Sequence, residues 1–442
     1  MSGAARLGLI AAVLVVGLGA ATVSAPEPPR PVAPQSVPVT STSAVCPGLP
    51  ADSTLATGGA GSAAVTGGLL GEAAAPLAPG AVDLPELGEV PYVVSAQGDG
   101  AAGLVVTQAT RTTTGTARGL AVLACPAPGT SSWFVGGATT VGATSELLLV
   151  NVEDAPALVD VRVWTASGPA DPRPGRGLVV PARSRLVVPL DRLAPDRDQL
   201  ALHVATTRGR TAAAVRTSRR DGRTPLGIDW LPPTVPPARE AVVPGLPAGP
   251  GSRSVVVANP GEVDAAVRVE LTTDDGQLAA LPVEVPAGAS VAVDVSAQLR
   301  GTPAAARVVS DGPSVLAGAV VVDEQRAPVR ERFYAAAVPA LDAGALTLPA
   351  GVPGVQLLLT ALVADAVVEV AGERVEVPGA TTIAVPVGAG AAEVRVLSGQ
   401  VHAGWWARER GRAGLFVSGL PLRAPARTAL RPVVVVDPGA CR

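Results

Sequence analysis

Valine and leucine recur at every second position through much of this chain. Val159, Val161 and Val163 alternate with Asp160 and Arg162, and Val267, Val269 and Leu271 alternate with Arg268 and Glu270. Successive side chains on a strand point to opposite faces, so this alternation predicts strands with one buried face. Unbroken apolar runs such as Val255 to Ala258 predict strands covered on both faces. Gly and Pro interrupt these segments so often that ordinary helices are nearly excluded.

The pattern is also copied. Asn151 to Gly168 matches Asn259 to Gly276 without a gap, and Val180-Pro181-Ala182 matches Val285-Pro286-Ala287. A fixed spacing of this kind marks repeated supersecondary units. The punctuation divides the chain into an irregular first β unit at 44–129, β units at 130–237 and 238–330, and a last unit with a C-terminal strand at 331–442. Six or seven short strands per unit is the count of an immunoglobulin-like sandwich. The reading is therefore all-β, with tandem immunoglobulin-like sandwiches. A propeller built from two blades per repeat stays open, since a blade takes about half this length.

Composition changes this picture little. Aromatic residues make up 2 % of the chain, so the core must be Val, Leu and Ala. The net charge of −3 gives no nucleic-acid footprint. The cluster Arg216, Arg219, Arg220 and Arg223 is broken by Asp221 and reads as a solvated loop between domains.

The ends say more about location. Arg6 followed by the apolar run Leu7 to Ala21 and the small residues Val23-Ser24-Ala25 reads as a targeting segment over 1–25. It serves either as a cleaved signal peptide or as an N-terminal membrane anchor. Residues 26–43 read as a Pro-rich linker. Export permits disulfides, and Cys46-Pro47 and Cys125-Pro126 share a context that favours their pairing over a bridge to Cys441.

Candidate chemistry is sparse. His203 and His402 have no accompanying Gly-x-Ser-x-Gly elbow. Asp274-Asp275 and Asp323-Glu324 could form paired carboxylates across a cleft, but both fall where hairpin turns are expected. No catalytic set, metal-ligand spacing or cofactor motif emerges. Trp405-Trp406 with His402 is the aromatic cluster with polar company. Alternation puts one Trp inward and the other outward, where it could meet a sugar face or a protein partner.

Ser132-Trp133-Phe134-Val135-Gly136-Gly137-Ala138-Thr139, followed by Leu147 to Asn151, carries a further signal. So do Asn259-Pro260, Gly276 and Val285-Pro286-Ala287-Gly288. These motifs resemble the tandem repeats of exported actinobacterial surface proteins catalogued as domain of unknown function 5719, over about residues 118–420. Asn151 is followed by Val instead of Pro, and the last copy lacks the Asn. The resemblance implies a fold and an extracytoplasmic location, secreted or anchored at the outer face of the membrane, and carries over no active site. The sequence thus reads as a non-enzymatic envelope protein, a scaffold or partner of an unknown envelope protein or glycan. A carbohydrate-binding accessory is the alternative.

Overall fold

The computed structural model describes residues 35–431, except 49–52, 79, 84–88, 327–328, 342–343, 348–351, 353, 389–392 and 412–413. The targeting segment, Cys441 and the last apolar strand lie outside the described residues. The described residues fall into two bodies, 35–38 with 428–431, and 39–427. In the first, Gln35–Pro38 pairs antiparallel with Thr428–Arg431. This places a strand inside the stretch expected to be a linker, and Ser41–Cys46 begins the first sheet before residue 44.

The larger body consists of four two-sheet sandwiches in tandem, hereafter repeats one to four. None of their antiparallel sheets closes into a barrel, as expected for sandwich units. One sheet has the same strand order in every repeat. In repeat two it runs Ser184–Pro189, Ala143–Asn151, Ala212–Asp221, Thr224–Leu231. In repeat three the order is Ser290–Asp294, Ser252–Ala258, Leu316–Arg326, Val329–Ala336. Repeat four has Thr381–Pro386, Val355–Ala361, His402–Gly411, Gly414–Pro421. Repeat one has Gly80–Asp83, Ser53–Gly58, Val105–Thr112, Gly119–Ala124. The first repeat, expected to be irregular, is a full copy. Val329–Ala336 completes the sheet of repeat three, so that repeat ends beyond residue 330.

Burial follows the alternation. Val159, Val161 and Val163 enter the core of repeat two, and Val267, Val269 and Leu271 that of repeat three. Removing a Val or Leu side chain from water contributes about 1.5–3 kcal/mol, so rows of such residues fix register: a one-residue slip would expose every one of them. Repeat one has a smaller core, and the Cys46–Cys125 disulfide forms within it.

The copied corner has a shared cause. Asn151 is fully buried, and its Nδ2 donates to Ala155 O at 2.8 Å and Val180 O at 3.2 Å, while Oδ1 accepts from Glu153 N at 2.9 Å. Asn259 repeats this with Val263 O at 2.7 Å, Val285 O at 3.2 Å and Gly261 N at 3.0 Å. The Asn amide supplies both donors and an acceptor to backbone groups that would otherwise be buried without partners. At the far end Thr165 and Thr273 each donate to the carbonyl of Gly168 or Gly276 at 2.9 Å. Those glycines have φ of 109° and 111°, which a side chain rarely tolerates.

The last strand of each conserved sheet faces the middle of the body. Thr224–Leu231 packs against Gly119–Ala124 on one side and Val329–Ala336 on the other, and Gly414–Pro421 closes the ring against both of those. We term these the inner strands, and each with its preceding partner an inner hairpin. A Cβ on Gly119 would sit 2.8 Å from Ile228 N, and one on Gly419 would sit 2.7 Å from the Phe333 ring, so the strands approach as closely as glycine allows.

Candidate functional site at the ring of inner strands

Where the four inner strands meet, apolar packing gives way to polar groups, with one contribution from each repeat. Repeat one supplies Arg118, repeat two Asp229, repeat three Glu331 and repeat four Ser418. Val122 N donates to Ser418 Oγ at 3.1 Å, and Ser418 Oγ donates to Asp229 Oδ1 at 2.9 Å, so three repeats share one hydrogen-bond chain. Arg118 Nη1 pairs with Glu331 Oε1 at 2.5 Å and Nη2 donates to Leu415 O at 2.6 Å. Glu331 Oε2 accepts from Val417 N at 2.7 Å. The alternation that builds the strands turns these side chains into the shared interior.

Burial dominates the electrostatics. Desolvation pushes the Glu331 carboxyl up to about 7, and the nearby Asp323 charge adds to the rise; the Val417 N–H and Arg118 oppose it without cancelling it. Asp229 is 1 % exposed, and burial raises its carboxyl well above the ordinary range. Burial disfavours its charged form. Asp323 stands opposite Glu331 across the hairpin of repeat three and is also raised, first by burial, although Arg408 of repeat four pairs with it. Two carboxyl groups side by side are each met by an arginine from another repeat.

Around this interior lies a fringe of arginine. Arg111 pairs with Glu409 at 2.6 Å, and the guanidinium carbons of Arg111 and Arg118 lie 4.8 and 4.6 Å from the Phe416 ring centre. Arg216 pairs with Glu146 at 2.8 Å. Arg219 lies close to Arg332 of the next repeat; burial, then that like charge, lowers its pKa. Its Nε is buried without a hydrogen-bond partner.

The residues singled out in the sequence are dispersed. Trp405 enters the core of repeat four, and Trp406 points from the other face of the same strand, as alternation requires. Repeat three covers that outer face, and the two side chains are 1 % and 6 % exposed. The expected outward Trp is thus buried, and Trp406 Nε1 is satisfied by Gln356 Oε1 at 3.1 Å. His402 Nδ1 lies 3.1 Å from Val338 O, and burial lowers its pKa. His203 stacks on Trp133 at 3.7 Å. Asp274 and Asp275 occupy the expected turn. Asp323 does not: it sits within Leu316–Arg326, 2 % exposed, because the hairpin turns later. Arg216 to Arg220 likewise lie in the strand Ala212–Asp221, and the group forms one hairpin instead of an interdomain loop.

Sequence reading passed over Asp229, Glu331 and Ser418, although a signal existed for two of them. Asp229 and Ser418 are polar residues inside otherwise apolar stretches, Ile228-Asp229-Trp230 and Val417-Ser418-Gly419, whereas Glu331, between Arg330 and Arg332, carries no such signal. A cleft of about 520 Å³ in repeat three is lined by Thr273, Asp275, Gln298 and Arg300 among others, away from this ring. Among the described residues no group of His, Cys, Asp or Glu is placed to hold a metal ion, and no helix is long and apolar enough to cross a membrane.

A family model described as Family of unknown function (DUF5719) matches residues 81–396. The match reaches from the first repeat into the fourth. No curated protein and no solved structure matches the chain significantly.

Proposed function

Taking as premise that the chain belongs to the family of unknown function DUF5719, we propose that it is an exported, non-enzymatic protein of the cell envelope that serves as a rigid scaffold or interaction partner. The observation that carries this reading is the ring of inner strands. Arg118, Asp229, Glu331 and Ser418 of four different repeats are spent on one another, which makes one stiff body from four sandwiches. Such a body presents its loops and hairpin ends at fixed separations, which is what a scaffold requires. The Cys46–Cys125 disulfide supports an oxidising compartment, where such bonds persist. The apolar run Leu7 to Ala21 supports export by the same route.

The test is cell fractionation of the full chain with thiol labelling before and after reduction, followed by cross-linking in intact cells. The expected result is envelope material with Cys46 and Cys125 protected until reduced, and discrete cross-linked species. A cytosolic chain with both thiols free sinks the proposal.

A further inference from the structure

The four inner hairpins open toward one end of the ring. Beside their own hairpin turns, Arg118 meets Glu331, Gly414 and Leu415, Gly119 lies against Ile228, and Gly227 lies against Glu331. These residues therefore share one end of the ring. That end is charged out of proportion to the chain. In sequence the four hairpins hold twelve arginines against six carboxyl residues, whereas the chain as a whole has a net charge of −3. One of the six, Asp229, is buried away from that surface.

Ion pairs inside the body account for Arg111, Arg118, Arg216, Arg330 and Arg408. No carboxylate stands within pairing distance of Arg219, Arg220, Arg223, Arg332 or Arg410 among the described residues. Arg220, Arg223 and Arg410 are exposed. Arg219 and Arg332 are half-buried and come from different repeats. Tyr334 faces repeat two beside them, against Gly136 and Leu231, and alternation puts Arg332 on the same face of its strand. Arg219 and Arg332 come together, Asp198 acts on Arg219 only from beyond ion-pair distance, and Arg219 Nε is a buried N–H without a partner, an arrangement that a tetrahedral oxyanion satisfies with paired charged hydrogen bonds.

We propose that this end of the ring binds a linear polymer bearing phosphate groups, with one phosphate seated between Arg219 and Arg332 and its neighbours met by Arg220, Arg223 and Arg410. A polymer fits better than a single phosphate, because the unpaired arginines are spread over three hairpins. The proposal deepens the interaction-partner reading and rests on it only for the compartment in which the polymer is met.

The experiment measures binding of labelled inorganic polyphosphate to the purified full chain over a series of salt concentrations. Binding that weakens steeply with salt is expected. Arg219→Gln with Arg332→Gln should weaken it about tenfold and reduce the salt slope by about two. Arg220→Gln with Arg223→Gln removes two exposed groups without touching the interior and should weaken binding by a smaller factor. Arg173→Gln, at an exposed pair with Asp171, should leave it unchanged. Unchanged binding in both double variants, or equal or tighter binding of neutral dextran or of polygalacturonate, overturns the proposal. So does binding confined to vesicles of phosphatidylglycerol. Failure here in a chain that fractionates with the envelope removes only this inference; polyphosphate binding by a cytosolic chain removes only the envelope assignment.

Discussion

The corner that begins at Asn151 and the inner strand that carries Asp229 belong to the same sandwich and differ in kind. The corner is copied at Asn259, donor for donor and nearly distance for distance. The inner strand is not copied: its polar residue is Asp229 in repeat two, Glu331 in repeat three and Ser418 in repeat four. A corner must satisfy its own backbone, a problem every repeat shares. An inner strand must satisfy three different neighbours, and each place in the ring poses a different problem. Repetition therefore marks self-sufficient structure here, and divergence marks the contacts that make four sandwiches one body.

The comparison breaks most visibly at Arg118→Ala. Glu331 is left with a buried carboxyl and no cation, a defect that costs about 3–5 kcal/mol. Denaturant melts of the full chain should show the loss, and Asn259→Ala should not match it. Equal losses would mean that the ring is no more cooperative than a corner.

Cys46→Ser comes next. The bridge joins residues 79 apart in the repeat with the smaller core, and its removal should cost about 2–4 kcal/mol. The damage should stay within repeat one. Hydrogen exchange would reveal it there, with slow exchange retained at Val267 and Val269 in repeat three. Exposure spreading evenly through all four repeats would contradict this.

Asn259→Ala should cost about 1–3 kcal/mol through unsatisfied carbonyls at Val263 and Val285, and Asn151→Ala about the same. Similar losses from the two confirm that the corner acts locally. A large difference would show that its surroundings matter more than its geometry.

The most gradual effect is the pH slope. The folded Glu331 carboxyl titrates at about 7, above its ordinary value of 4.5. Between those values the folded chain holds a proton that the unfolded chain has released, so stability falls as pH rises through the window, by at most about 1.4 kcal/mol per unit. Glu331→Gln stays neutral throughout. Its melting temperature relative to the parent chain should rise from pH 5 to pH 8, and a flat difference would place the titration elsewhere.

Much of this was legible in the sequence. The alternation at 159–163 and 267–271 predicts strands with one face buried, because a pleated strand admits a period of two and no other. The spacing of Asn151 and Asn259 predicts repeated units, and the shared Cys-Pro context predicts the Cys46–Cys125 bridge that forms. Alternation also gives opposite faces to Trp405 and Trp406. Only the tertiary structure decided that the outer face is buried as well, because repeat three packs on it. Only the tertiary structure brought Arg118, Asp229, Glu331 and Ser418 together, or set Arg219 beside Arg332. Local pattern determines which side a residue faces, since that depends on the chain's own geometry. What lies on that side depends on contacts between distant residues, such as Arg118 and Leu415, 297 positions apart, and no local period encodes them.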